Sequence, residues 1–279
     1  MTEEPLDLPT WPHEADVAIS LTFDVDAESG VIGQSLADAN RLTSLSEARY
    51  AITRAVPRLL ALLASCEVNA TFYVPGHTAE LHPHAVQAIV EAGHEVGHHG
   101  HHHLISPGPD AATQRAEIEQ GIAALGAITG RAPAGYRSPG WELTPETLRL
   151  LREYEFEYDS SAMGDDRPYE LVDGDWRLLE LPVHWSLDDV PYFAFSSQLP
   201  SRYAPLETMR LTWLQELANA RDERRMVTLT MHPEIIGRGY RALELHRLIT
   251  DIQEEGRAWF ATHSDVAQLI RNSDEAREA

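Results

Sequence analysis

Lysine is absent from the 279-residue chain, whose 22 basic residues are all arginine. Lysine Schiff bases and P-loop lysine chemistry are thereby excluded. There is one cysteine, Cys66, which rules out an intramolecular disulfide and a cysteine-built zinc cluster. Set within LLALLASCEV, it reads as a buried apolar thiol. Cations are scarce against 44 acidic residues, leaving a formal charge of −22. Such a surface has little with which to displace phosphate counterions, so nucleic acid is an unsuitable partner. No stretch of about 20 apolar residues occurs, and no membrane span is expected. Residues 1–10 hold acids and prolines where a secretory signal needs a basic start and an apolar run, so a cytoplasmic location is expected. What is present is ordinary: 43% hydrophobic and 24% charged residues, enough to build one substantial core and, at this length, one large α/β domain.

Residues 17–23 (VAISLTF) form a β-rich apolar run ending in Asp24-Val25-Asp26-Ala27-Glu28, a strand that delivers carboxylates to a loop. An irregular excursion over 29–43 precedes an amphipathic helix around 46–65. Further strands are expected at 68–74, 95–97, 135–137, 156–159, 178–183 and 226–231, with helices at 83–92, 111–129, 144–154 and 205–224 and a closing helix–strand–helix over 241–271. Thr144-Pro145-Glu146 supplies a cap hydroxyl, a first-turn proline and an acid at the positive end of the helix dipole. Strands alternating with long helices imply right-handed parallel crossovers, hence a barrel or a doubly wound sheet with ligands outside the carboxyl ends of the strands. The main domain is placed at 16–272, after an N-terminal extension (1–15) and before an acidic tail (273–279). Both acidic ends, 1–7 and 273–279, are expected to fray.

Six of the 14 histidines fall in HEVGHHGHHH, residues 94–103. Each buried imidazole needs its own hydrogen-bond partners, so metal binding is the economical explanation for such density. Spacing leaves the ligands open: His98/His102 and His99/His103 are both four apart. A strand-end carboxylate, Asp24 or Asp26, would complete a two-His, one-carboxylate site with open positions, suited to zinc or another first-row divalent ion.

The chain resembles the polysaccharide deacetylase (NodB-homology) family, carbohydrate esterase family four, over most of its length. The resemblance rests on five ordered segments: Thr22-Phe23-Asp24-Val25-Asp26, His99-Gly100-His101-His102-His103, Arg137-Ser138-Pro139-Gly140-Trp141, Tyr158-Asp159-Ser160-Ser161 and Thr230-Met231-His232-Pro233. It implies a single-domain α/β fold, a distorted (β/α) barrel with seven or eight strands. Only His99-Gly100 fits the family's H-G-x-x-H form, which assigns His99, His103 and Asp26 to one divalent metal ion and Asp24 to the catalytic base. Zinc suits those ligands, and cobalt, nickel or manganese can replace it. Arg137 is implied to orient Asp24, and His232 to act as general acid. An acid supporting His232 is sought among Asp159, Asp165 and Asp166.

The missing signal, the Asp-Val-Asp-Ala-Glu variant and the segment HPEIIGRGYR after the last motif resemble the intracellular branch of peptidoglycan deacetylase-like, allantoinase-like and cyclic-imide-hydrolysing proteins. That branch also implies a homo-oligomer. Asp-Asp-x-Pro-Tyr occurs twice, at 165–169 and 188–192, so Asp166, Asp189 and Tyr192 are candidates to border the substrate. Trp141, Trp185, Tyr192 and Phe193 are candidates for an apolar wall, and Arg238 and Arg241 for a substrate carboxylate or a neighbouring subunit. The expected reaction is hydrolysis of a non-peptide carbon–nitrogen bond: deacetylation of an N-acetylated sugar, or ring opening of a cyclic imide or ureide. A histidine-rich metal-storage or delivery protein is the rival class, but it has no use for Arg137 or a strand-end His232.

Overall fold

The computed structural model describes residues 2–33, 39–105, 110–194 and 203–278. The first half runs β1 (Thr2–Pro5), β2 (Val17–Asp24), α1 (Glu28–Ile32), α2 (Leu42–Tyr50), a wide turn at Ala51–Ala55, α3 (Val56–Ser65), β3 (Thr71–Val74), α4 (Gly76–Leu81), α5 (Pro83–Glu91), β4 (Glu95–His98), α6 (Ala111–Thr129) and β5 (Gly135–Tyr136). It continues with α7 (Pro145–Glu153), β6 (Tyr158–Asp159), β7 (Tyr169–Asp173), β8 (Trp176–Glu180), α8 (Val190–Phe193), α9 (Leu206–Glu223), β9 (Met226–Met231), α10 (Pro233–Ile236), α11 (Gly239–Glu255), β10 (Ala258–Phe260) and α12 (His263–Glu278). The ten strands of the described residues join one sheet, β1-β7-β8-β6-β5-β4-β3-β2-β10, with β9 on the other side of β2. Asp188 bridges to Thr230 in parallel, so the chain beyond β8 reaches β9 and the sheet curls into a distorted (β/α) barrel in a single domain.

The barrel follows from the two-residue period of β2. Ile19, Leu21 and Phe23 pack outward in a core with Leu59 and Leu63 of α3 and Leu245, Leu248 and Ile249 of α11. Ser20, Thr22 and Asp24 alternate with them and face inward. Ser20 donates to the Ala261 carbonyl and Thr22 to that of Leu229. The strand is apolar at every other position and buried at all because both of its faces are covered. Tyr73, Tyr158, Glu95 and His263 fill the interior: Tyr73 Oη lies 2.6 Å from His263 Nδ1, and Tyr158 donates to Glu95 at 2.7 Å.

Several expectations are corrected. The amino terminus does not fray: β1 pairs antiparallel with β7, Thr2 opposite Val172, and the carboxy-terminal tail continues α12 to Glu278. The connections are not all parallel crossovers, since β7 and β8 form an antiparallel hairpin across Gly174, whose φ is +62°. Asp173-Gly174 is the hairpin signal that periodicity overlooked. The helix expected around 46–65 starts at Leu42 and widens at Ala51–Ala55. Pro57, in the first turn of α3, has no N–H to continue the ladder.

Gly135 is where two strands close on an aromatic ring: a Cβ there would lie 2.0 Å from Tyr158 Cζ, and that ring is fully buried. Gly135→Ala is expected to cost at least about 2 kcal/mol, read as a fall in Tm of roughly 5 °C or more. Gly239→Ala, where nothing lies within 4 Å, is the control and should leave Tm unchanged.

Candidate active site

The polar groups gather at the carboxyl ends of the parallel strands, where side chains leave the sheet and backbone hydrogen bonding stops. Asp24 is the last residue of β2, His98 of β4 and Asp159 of β6, while Arg137 and His232 each follow a strand directly. Arg137 is completely buried and makes four side-chain hydrogen bonds. Its Nη1 donates to Asp24 Oδ1 at 2.8 Å and Thr22 Oγ1 at 2.9 Å, its Nε to the Ser160 carbonyl at 3.0 Å and its Nη2 to Ser160 Oγ at 2.9 Å. Tyr73 supplies its ring face 4.2 Å from the guanidinium carbon. Burial alone would raise the Asp24 pKa, but the Arg137 charge, with that of His232 behind it, outweighs this and holds the carboxyl below its usual range. A buried carboxylate that stays ionised is the result.

Asp26, His99 and His103 converge beside it, one ligand atom from each lying within 4.8 Å of the other two. Asp26 Oδ1 is 3.4 Å from His99 Nε2, and its Oδ2 is 3.3 Å from His103 Nε2. His99 Nδ1 bonds to the Arg137 carbonyl at 2.8 Å; a carbonyl only accepts, so Nδ1 carries the proton and the Nε2 lone pair points toward Asp26. Burial pushes the His99 pKa down and that of His103 to about 4, keeping both rings in the neutral form that ligates. Asp26 Oδ1 and His103 Nδ1 are buried without a hydrogen-bond partner, an arrangement that is costly unless another group occupies the site. The donors therefore fit a divalent cation, with Asp24 Oδ2 only 3.9 Å from His99 Nε2. The loop holds this form through left-handed backbone at Gly100 (φ +69°) and His103 (φ +60°), a conformation uncommon outside glycine that histidine takes more readily than most side chains.

The other histidine pair does not converge on these residues. His98 bonds to the Ile118 carbonyl at 3.1 Å and accepts from Gly100 N–H at 3.0 Å. Its ring packs against Tyr136 and Phe156.

His232 is joined by an acid that the sequence placed elsewhere. Its Nδ1 is 2.9 Å from Asp189 Oδ1 and 3.8 Å from Asp188 Oδ1, and its backbone N–H donates to Asp189 as well. Asp189 is fully buried and engaged with His232, a contact that its expected place beside the substrate did not include. None of Asp159, Asp165 and Asp166 takes this place. Asp159 pairs with Ser161 Oγ at 2.9 Å and shares its burial with Glu180. Asp165 accepts from Arg167 N–H in a turn. Asp166 lines a cleft with Arg225 and Met226 at the amino end of β9, roughly 20 Å along the strand from His232 by strand rise. Asp166 thus stands apart from the residues grouped around His232, where a substrate contact was expected.

Burial by itself would lower the His232 pKa. The carboxylates of Asp188 and Asp189, then Asp26, outweigh this and hold it well above the usual imidazole range. Glu234, two residues on, escaped the sequence reading. Its Oε2 is buried without a partner, and burial foremost pushes the carboxyl up to about 8. Its only signal was its place after His232-Pro233.

Trp141 and Trp185 stack with ring centroids 4.3 Å apart; Trp185 remains 44% exposed, leaving an apolar face open. Tyr192 donates to the Ser186 carbonyl at 2.8 Å and packs on the core with Phe193, which makes it a support for the Asp188–Asp189 turn and not a wall. Arg238 lies over the Tyr50 ring at 3.8 Å and meets Glu47 at 3.4 Å, so its charge is already paired. Arg241 is buried over Phe193.

Residues 14–158 match the polysaccharide deacetylase family model. The chain is 38% identical, over 98% of its length and 96% of the other chain, to a solved Mycobacterium smegmatis protein provisionally named a polysaccharide deacetylase, with a TM-score of 0.93. It is also 29% identical to the peptidoglycan deacetylase of Helicobacter pylori, over 92% of this chain and 98% of that one. A solved Puue allantoinase, 22% identical over 95% of this chain and 93% of its own with a TM-score of 0.84, shares the fold. The chain belongs to the polysaccharide deacetylase family of hydrolytic enzymes. Deacetylases of this family are generally metal-dependent, and the grouped His and Asp side chains have the composition to hold an ion. Among the described residues no helix is long and apolar enough to cross a membrane.

Proposed function

We propose that this chain hydrolyses the N-acetyl group of an amino sugar, with Asp24 as base, His232 as acid and Asp26, His99 and His103 as ligands of one divalent ion. Zinc suits that donor set. The observation carrying the proposal is the ionised, Arg137-held Asp24 standing 3.9 Å from His99 Nε2, with the Asp189-supported His232 at the neighbouring strand end. A bound ion supplies Lewis acidity toward a carbonyl oxygen and lowers the pKa of water toward about 7. Asp24 then accepts the proton of the attacking water as its oxygen bonds to the carbonyl carbon. His232 gives its proton to the leaving nitrogen as the carbon–nitrogen bond breaks, so the products are acetate and the free amine. The sugar character of the substrate is supported by likeness to a peptidoglycan deacetylase over nearly the whole length of both chains, and the exposed Trp185 face suits stacking against a pyranose ring.

Zinc-loaded protein should release acetate from N-acetylglucosamine oligomers or peptidoglycan fragments. Ring opening of allantoin or succinimide in place of acetate release would reassign the substrate, and turnover of neither would remove the enzymatic proposal. A pH profile tests the acid. Activity that needs protonated His232 is lost as pH rises through its pKa, which the two aspartates raise. Asp189→Asn removes one of those charges and is expected to move the alkaline limb of kcat/KM down by about one pH unit or more. An unmoved limb would assign the acid elsewhere.

A further inference from the structure

We propose that the outer side of the histidine loop binds a second divalent cation of the zinc type, through His77, His101 and His102 with Glu80 as an additional oxygen donor. One ligand nitrogen from each of the three histidines lies within 4.8 Å of the other two. Glu80 Oε2 stands 3.9 Å from His77 Nδ1 and 3.8 Å from His101 Nε2, between the two rings yet too far from either for a hydrogen bond. Three nitrogens and a carboxylate around one point are a donor set that zinc and its first-row neighbours accept.

Three further observations point to a ligand and away from a merely polar surface. His101 is buried at 4% exposure, and its Nδ1 has no hydrogen-bond partner. That nitrogen faces Gly76 of α4, so Nε2, on the Glu80 side 3.8 Å from its Oε2, is the nitrogen left to ligate. His102 is held as metal-ligating histidines usually are. Its Nδ1 bonds to the Glu117 carboxylate at 2.7 Å, which keeps the proton on that atom and leaves Nε2 free to ligate. The same carboxylate accepts the backbone N–H groups of His101 and His102 at 2.9 and 2.7 Å, so loop and ring are fixed together. Finally, α4 is docked to the loop by Gly76 N–H to the Gly100 carbonyl at 3.0 Å and His77 N–H to the His101 carbonyl at 2.9 Å. A side chain at position 76 would come within 2.4 Å of His101 Nδ1, so glycine is what lets the helix bring His77 this close.

The segment His99–His103 thus presents histidines in two directions: 99 and 103 toward Asp26, 101 and 102 toward α4. The outer ion would pin the loop that carries the inner ligands without taking part in hydrolysis. Equilibrium dialysis of the full chain against Zn2+, followed by metal analysis, should find about two ions per chain, falling to about one in His77→Ala/His102→Ala and to about one in Asp26→Ala/His99→Ala. About one ion in the unaltered chain, or two retained in His77→Ala/His102→Ala, would overturn the proposal. Anomalous diffraction from crystals of the unaltered protein soaked in Zn2+ reads the same point without any variant. A peak among the three rings is expected, and its absence counts against the site. Neither measurement depends on turnover, so the outer site can fail while the deacetylase proposal stands, and the reverse.

Discussion

Asp24→Asn is expected to lower kcat/KM by about 10²- to 10⁴-fold while leaving the ion at Asp26, His99 and His103 in place. Asparagine keeps the shape of the side chain and an oxygen to accept from Arg137 Nη1, now at 2.8 Å from Asp24 Oδ1. It cannot take a proton from water. The substitution also strips the fully buried Arg137 of its counter-charge, and one partner lost from a buried pair typically costs about 3–5 kcal/mol. Stability and rate therefore have to be measured together, with assays run well below the lowered Tm. Metal content by elemental analysis separates the two roles of the neighbouring carboxylates. A variant that keeps its ion and loses its rate places Asp24 in proton transfer, whereas one that loses both makes it a ligand. Activity within tenfold of the unaltered chain would exclude it as the base.

Removing a ligand should have the opposite signature. His103→Asn is expected to weaken metal binding by more than about 100-fold, since even partners that merely orient a ligand are worth about 10–100-fold, and activity should fall with it. Asparagine is chosen because residue 103 has a left-handed backbone, φ +60°, which Asn adopts more readily than most residues. Loss of the ion is then not confused with a strained loop. Titration with Zn2+ followed by acetate release checks both effects, and full activity at stoichiometric metal would remove His103 from the ligand set. Chelation of the unaltered protein should reproduce the loss, with recovery on adding Zn2+.

Much of the architecture could be read from residue order alone, for a reason visible in β2. Its alternation of apolar and small polar residues is a local property, and it survives folding because one face meets the helices and the other the barrel interior. The cap of α7 is legible for the same reason: Thr144 Oγ1 accepts from Thr147 N–H three residues away. The hairpin of β7 and β8 is signalled by its Asp173-Gly174 turn and not by the periodicity of its strands. Pairing of the first residues with β7 had no local signal, since the partner lies about 170 positions away in the chain.

The site divides along the same line. Acids at the end of an apolar strand, histidines packed into one loop and a lone histidine after another strand are chemical facts of the chain itself, and each predicts polar chemistry at one mouth of the fold. Which carboxylate meets which imidazole is not, because chemically equal candidates differ only in where the sheet carries them. Asp166 and Asp189 occupy the same place in two copies of one short motif, yet the bridge of Asp188 to Thr230 brings the second copy to His232 and leaves the first at the far end of β9. Ionic and hydrogen-bonded contacts act over a few ångströms, and closure of a barrel decides separations of that size between residues tens of positions apart.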